Sequence, residues 1–209
     1  MERRMFSKGK VSAGGPTRLR SFDPVRLADL EYQAWVGYYL RRWPQVLIAS
    51  IGLVRAGFGM DWFRTLYGAW LVLRANQLWA PNPGNDPEGA QACMRRFYTL
   101  VALTYGEPAS PARAAELEVT WWRVHREGQH APDGAEPAGG LVSSLTRLYS
   151  YVYSEPETAL RPAALERARA MDLSDQWIKE GRQPGSALLP REHAALVRSY
   201  AALLAAVHH

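Results

Sequence analysis

A single cysteine, Cys93, in 209 residues excludes an intrachain disulfide and a thiolate zinc site built within the chain. A lone thiol suits a reducing compartment, so a cytoplasmic protein is expected. Long apolar runs are missing too. The longest, Val46–Val54, has nine residues and ends at Arg55, against the roughly 20 a bilayer-spanning helix needs. The opening MERRMFSKGK is charged and lacks the apolar stretch of a secretory signal. No segment sustains period-two alternation between turn signals, which argues against a sheet, and no period of 20–50 residues marks a solenoid. Also absent are a Gly-x-Gly-x-x-Gly after a strand, a phosphate-loop Lys-Ser/Thr, His-Glu-x-x-His, Cys-x-x-Cys and Gly-x-Ser-x-Gly.

What remains has the composition of a globular protein, with 47% apolar and 22% charged residues. The 8 Trp and 10 Tyr imply a thickly packed core or a pocket walled by flat side chains. Residues 1–20 carry six basic side chains against Glu2, and this +5 is the whole net charge of the chain. A neutral body gives no broad electropositive face for specific nucleic-acid recognition. The basic segment can attract RNA, DNA or anionic lipid only non-specifically. The expected organisation is a flexible basic tail over 1–20 and one domain over 21–209.

Local punctuation writes the helices. Asp23-Pro24, Asp86-Pro87 and Ser110-Pro111 each pair an N-capping side chain with a proline tolerated in the first turn. The first helix should run to about Trp43, and Pro44 should open a second to about Ala56. Asp61 caps a third reaching Trp79; the fourth stops at Gly106 and the fifth near Glu127. Residues 128–140 form the longest internal loop. Further helices are expected over 141–153, about 162–180 with Gly181 just past the end, and from Pro190 onward. The fold expected is all-α, an irregular bundle of seven to eight helices with short connections.

A bundle does chemistry by pointing acids and imidazoles inward from apolar stripes. Glu31 shares a face with Leu27, Ala34 and Tyr38 and needs either a metal or an arginine from another helix. Glu118 and His125 lie two turns apart, with Trp121 and Trp122 between them as candidate pocket walls for a cofactor. Asp172 and Asp175 stand one turn apart and either face solvent or join the site. His208 ends the apolar stripe of the last helix. This inventory resembles that of carboxylate-bridged di-iron bundles, although ferritin-like proteins repeat Glu-x-x-His on two helices and this chain has it once, at Glu127–His130. The resemblance implies iron held by Glu31, Glu118 and His125, with Asp172 or His208 completing the set, and oxidase or oxygenase chemistry on a small apolar molecule. The alternative is a non-catalytic interaction protein. The hairpin 44–79 places Gly52, Gly57, Gly59 and Gly68 among large apolar residues, as a close-packed central hairpin or a surface for a partner or second subunit would.

Overall fold

The computed structural model describes residues 17–130 and 138–209. The first sixteen residues of the expected basic tail, and residues 131–137 of the expected long loop, lie outside the described residues. Eight α-helices and no strand are present among the described residues: α1 (Pro24–Tyr39), α2 (Trp43–Phe58), α3 (Trp62–Trp79), α4 (Pro87–Tyr105), α5 (Pro111–Gln129), α6 (Ala138–Tyr153), α7 (Glu157–Lys179) and α8 (Leu188–Val207).

The starts follow the capping chemistry. Asp23, Asp61, Asp86 and Ser110 each accept backbone N–H groups from the first turn of the helix they precede. The bounds depart from expectation in two places, one stop and one start. α1 ends at Tyr39, because Arg41 turns left-handed (φ 58) and lets the Arg42 N–H bond back to the Gly37 carbonyl; Pro44 then sits inside the first turn of α2. α7 starts at Glu157 and carries Pro162 within it, where the missing N–H would have met the carbonyl of the exposed residue Thr158.

Each helix packs on its neighbours in sequence, and α8 returns to pack on α1. The contacts therefore close a ring. Eight helices spaced about 9 Å apart put their axes roughly 12 Å from the ring's centre, well beyond the ~5–6 Å radius of a helix with its side chains. The middle must be filled by large side chains or left open. The aromatic wealth of the chain answers part of this: Trp79, Phe97, Tyr98, Trp121, Trp122 and Tyr149 belong to one buried cluster. A smaller cluster joins α1, α7 and α8 around Trp177. Two glycines of the α2–α3 hairpin have a specific task. A Cβ on Gly52 would meet Leu30 of α1 at 2.5 Å, and Gly59 ends α2 at φ 56 with the Arg18 side chain against it.

The body begins before Ser21. Residues Arg18–Arg20 form a 3₁₀ turn whose Leu19 is 1% exposed. Arg20 bonds Glu155 (2.7 Å), Glu107 (3.1 Å) and the Tyr153 carbonyl, so it ties α6, the α6–α7 connection and the α4–α5 connection together. The sequence placed this arginine in a solvated leader; its acidic partners lie 87 and 135 residues away.

Candidate functional site

The ring encloses a cavity of about 910 Å³ to which all eight helices contribute. Its deep wall is built around one arginine. Arg167 projects from α7 on the stripe it shares with Ala163, Ala164, Ala170 and Met171. It donates through both terminal nitrogens to the two oxygens of Glu31 on α1, and to the Tyr149 hydroxyl at 3.2 Å. Tyr200 of α8 donates its hydroxyl to the same carboxylate. The Arg167 guanidinium lies 5.7 Å from the ring centres of both Trp35 and Trp121, the range of a cation–π contact. With Glu31 only 4% exposed, this is a buried ion pair supported by the Tyr149 and Tyr200 hydroxyls, hydrogen bonds that help charge to be tolerated inside a protein; the Arg167 Nε has no partner among the described residues. Burial opposes the Arg167 charge, but Glu31, Tyr149, Tyr200 and Glu118 together hold its pKa well above the ordinary arginine value.

Glu118 completes the wall from α5. One oxygen accepts the Tyr98 hydroxyl at 2.7 Å; the other accepts the indole N–H groups of Trp121 and Trp122, each at 3.1 Å. Burial pushes its carboxyl above the usual range, and Tyr98, Arg167 and the two indoles pull it back. The two tryptophans expected to wall a pocket do line the cavity, and in addition their N–H groups hold Glu118.

Nearer the opening, His125 Nε2 meets Asp175 Oδ2 at 3.0 Å, and Gln129 donates to Asp175 Oδ1 at 2.6 Å while reaching the Tyr39 hydroxyl at 3.3 Å. Asp172 lines the same cavity and is solvent-accessible there. Partial burial, then the neighbouring Asp175 charge, raises its carboxyl, against the pull of His125.

The residues expected to bind iron are thus placed but not assembled. Glu31 is already paired with the Arg167 guanidinium, and Glu118 with the Tyr98 hydroxyl and two indole N–H groups. His125 is engaged with Asp175 rather than with either glutamate. His208 donates from Nδ1 to the Arg20 carbonyl (2.9 Å) at the end of α8, away from the cavity lining. The Glu127–His130 string does not turn inward: Glu127 is exposed, and His130 sits at the helix end bonded to the Arg126 carbonyl and Asn82. Among the described residues, no three His, Cys, Asp or Glu side chains gather as a ligand set. Glu31, Glu118 and His125 each have hydrogen-bond partners of their own: Arg167 and Tyr200, Tyr98 and two indoles, and Asp175.

The residues the sequence reading passed over are Arg167 and the tyrosines 98, 149 and 200. A basic residue on an otherwise alanine-and-methionine stripe was the available signal for Arg167. Also missed was Glu192 on α8, 1% exposed, with neither carboxylate oxygen hydrogen-bonded among the described residues. Burial pushes it up to about 7, reinforced by the charges of Glu31 and Asp175 and opposed only by the nearby Ser174 hydroxyl.

Comparison with known proteins finds no family model, no curated protein and no solved structure that matches the chain. The class is therefore defined by what the chain itself presents: a closed ring of eight helices around an aromatic-walled cavity with an arginine-centred polar wall.

Proposed function

We propose that this chain binds one small organic molecule, apolar or aromatic in its body, inside the ring. The observation that supports this reading is the cavity itself: its volume falls in the range of ligand sites, and Trp35, Trp79, Trp121, Trp122, Phe97 and Leu145 give it flat and aliphatic walls. Apart from the Arg167 Nε, which has no hydrogen-bond partner among the described residues, the buried polar groups of the wall are hydrogen-bonded, so the wall gives a ligand shape and edge contacts rather than an unmet charge. The reading keeps the small apolar molecule expected from the sequence and does not call on iron. The test is fluorescence titration with the neutral probe N-phenyl-1-naphthylamine. One saturable site per chain is expected, abolished by Ala34→Trp, which fills the cavity from α1. Absence of saturable binding, or binding indifferent to that substitution, overturns the proposal.

A second reading rests on a separate observation. Along α3, Trp62, Phe63, Leu66, Tyr67 and Trp70 are 61, 89, 51, 43 and 48% exposed, and their spacing puts them on one stripe with Arg74. Arg55 lies over Trp62, 4.9 Å from its ring centre, and Asp61, the one acid of the α2–α3 hairpin, is paired with Arg64. Tryptophan, tyrosine and arginine together fit the interface of an anionic lipid surface; two copies apposed through this stripe would bring like charges together. Among the described residues no helix is long and apolar enough to cross a membrane, so such contact would be peripheral. Flotation with vesicles containing phosphatidylserine is expected to carry the protein, and Phe63→Asp to release it. A concentration-dependent dimer broken by the same substitution would instead assign the stripe to a second copy.

A further inference from the structure

Building on the cavity reading above, we infer that the bound molecule carries an anionic group, a carboxylate, sulfonate or phosphate, held at the cavity mouth by Arg41, Arg126, Lys179 and Arg182. All four line the cavity, and Arg41, Lys179 and Arg182 are exposed where it opens. They come together because α1, α5 and α7 end at the same place: Gln129 at the end of α5 bonds both Tyr39 of α1 and Asp175 of α7.

Two of these arginines stand where the backbone disfavours them. Arg41, past the end of α1, and Arg182, past the end of α7, both hold φ 58, a left-handed conformation. At such positions glycine is the usual residue, and this chain uses it at Gly59, Gly106 and Gly181. A non-glycine residue held there is a mild strain of the kind that collects at binding sites. Here the strain sets two guanidinium groups at one opening.

The cations are not spoken for by acids. Among the described residues none of the four forms an ion pair. Of the acids that line the cavity, Glu31 and Glu118 belong to the deep wall, Asp175 is taken by His125 and Gln129, and Asp172 is the other; the exposed Glu127 and Glu180 neighbour the cations in sequence but are not part of the lining. Part of the cluster has a structural task. Arg41 donates to the Ala80 carbonyl at 2.9 Å and Arg126 to the Trp79 carbonyl at 2.7 Å, which ties off the end of α3. Cations also suit helix C-termini in general. That task uses part of the donor fork of each guanidinium, and it accounts for neither Lys179 nor Arg182. Arg126 is further fixed by lying 4.3 Å over the Trp79 ring, and Arg41 by Tyr38 at 5.4 Å. Rigid planar donors in excess over acids, beside an aromatic interior, suit a ligand with a flat apolar body and a charged head.

The test compares two probes that differ by the charge: 8-anilinonaphthalene-1-sulfonate and the neutral N-phenyl-1-naphthylamine. Only the signal lost in Ala34→Trp is assigned to the cavity. The wild type is expected to prefer the sulfonate, with the preference eroded by salt. The double variant Arg41→Gly/Arg182→Gly relaxes both left-handed positions, so its melting temperature should hold, and it should bind the sulfonate about tenfold more weakly, the worth of a charge-assisted bond. Its affinity for the neutral probe should not change. Arg126→Gln serves as a second variant with the same expectation. An unchanged ratio of the two affinities in both variants overturns the anionic head and leaves the cavity reading standing. Failure of the neutral probe to bind the wild type overturns the cavity reading and this inference with it.

Discussion

Glu192 gives the sharpest handle on the energetics of the ring. Its carboxylate lies between α1, α7 and α8, at 1% exposure, with Ser174 beside it and no hydrogen bond among the described residues. Glu31 and Asp175 add negative charge around it, and Tyr32 and Tyr39 feel its charge from α1. Burial raises its pKa from 4.5 to about 7. The folded state therefore binds a proton more tightly than the unfolded state does. Stability is greatest where Glu192 is protonated in both states, falls as the pH rises from the unfolded value through the folded one, and levels off above about pH 7. The whole loss is on the order of 3 kcal/mol, most of it between pH 5 and pH 8. Glu192→Met removes the titrating group while keeping a side chain of similar length. Urea unfolding at the two pH values should show the wild type losing about 2–3 kcal/mol more than the variant between them, while Glu118 and the other acids contribute equally to both. At pH 8 the variant should melt roughly 4–12 °C higher. An equal pH 5 to pH 8 difference in the two proteins would show that Glu192 is solvated or partnered in the folded state, and the reasoning would fail. Glu192→Gln separates charge from shape: it should abolish the pH term but recover less stability, because its amide stays unpaired.

Arg167→Met strips Glu31 of its partner and should cost on the order of 3–5 kcal/mol in chemical denaturation; Arg167→Met with Glu31→Leu should restore much of that, and a double variant worse than the single would refute the pairing. Removing residues 1–20, or substituting Arg20→Ala, should lower stability by about 1–3 kcal/mol, since Glu107 and Glu155 lose their part-buried cation; an unchanged melting temperature would show that the 3₁₀ turn does not hold the α4–α5 and α6–α7 connections. Protein purified without chelator should carry iron far below one atom per chain, because Arg167 already supplies the charge that Glu31 and Glu118 face; stoichiometric iron lost in Glu118→Ala would reverse that assignment.

Helix starts were legible residue by residue, because an N-cap and a first-turn proline act within one turn of chain: Asp23, Asp61, Asp86 and Ser110 do what their side chains dictate wherever the helix later goes. The inward direction of Glu31 and Glu118 was legible for the same reason, since helical spacing assigns a face. The partner on that face was not. Arg167 reaches Glu31 across 136 residues and Tyr200 across 169, and no local rule distinguishes an arginine that closes an ion pair from a metal that replaces it. The same holds for the α3 stripe: the apolar hairpin fitted either a packed core or an exposed face, and only the position of α3 in the ring leaves Trp62 and Trp70 at the surface. Arg20, read as part of a solvated tail, became a part-buried tie for an equivalent reason. Composition and capping act over a turn of helix and determine an all-helical chain of seven to eight helices; which charges meet, and which aromatic faces remain uncovered, depends on how the ring closes through the contact of α8 with α1.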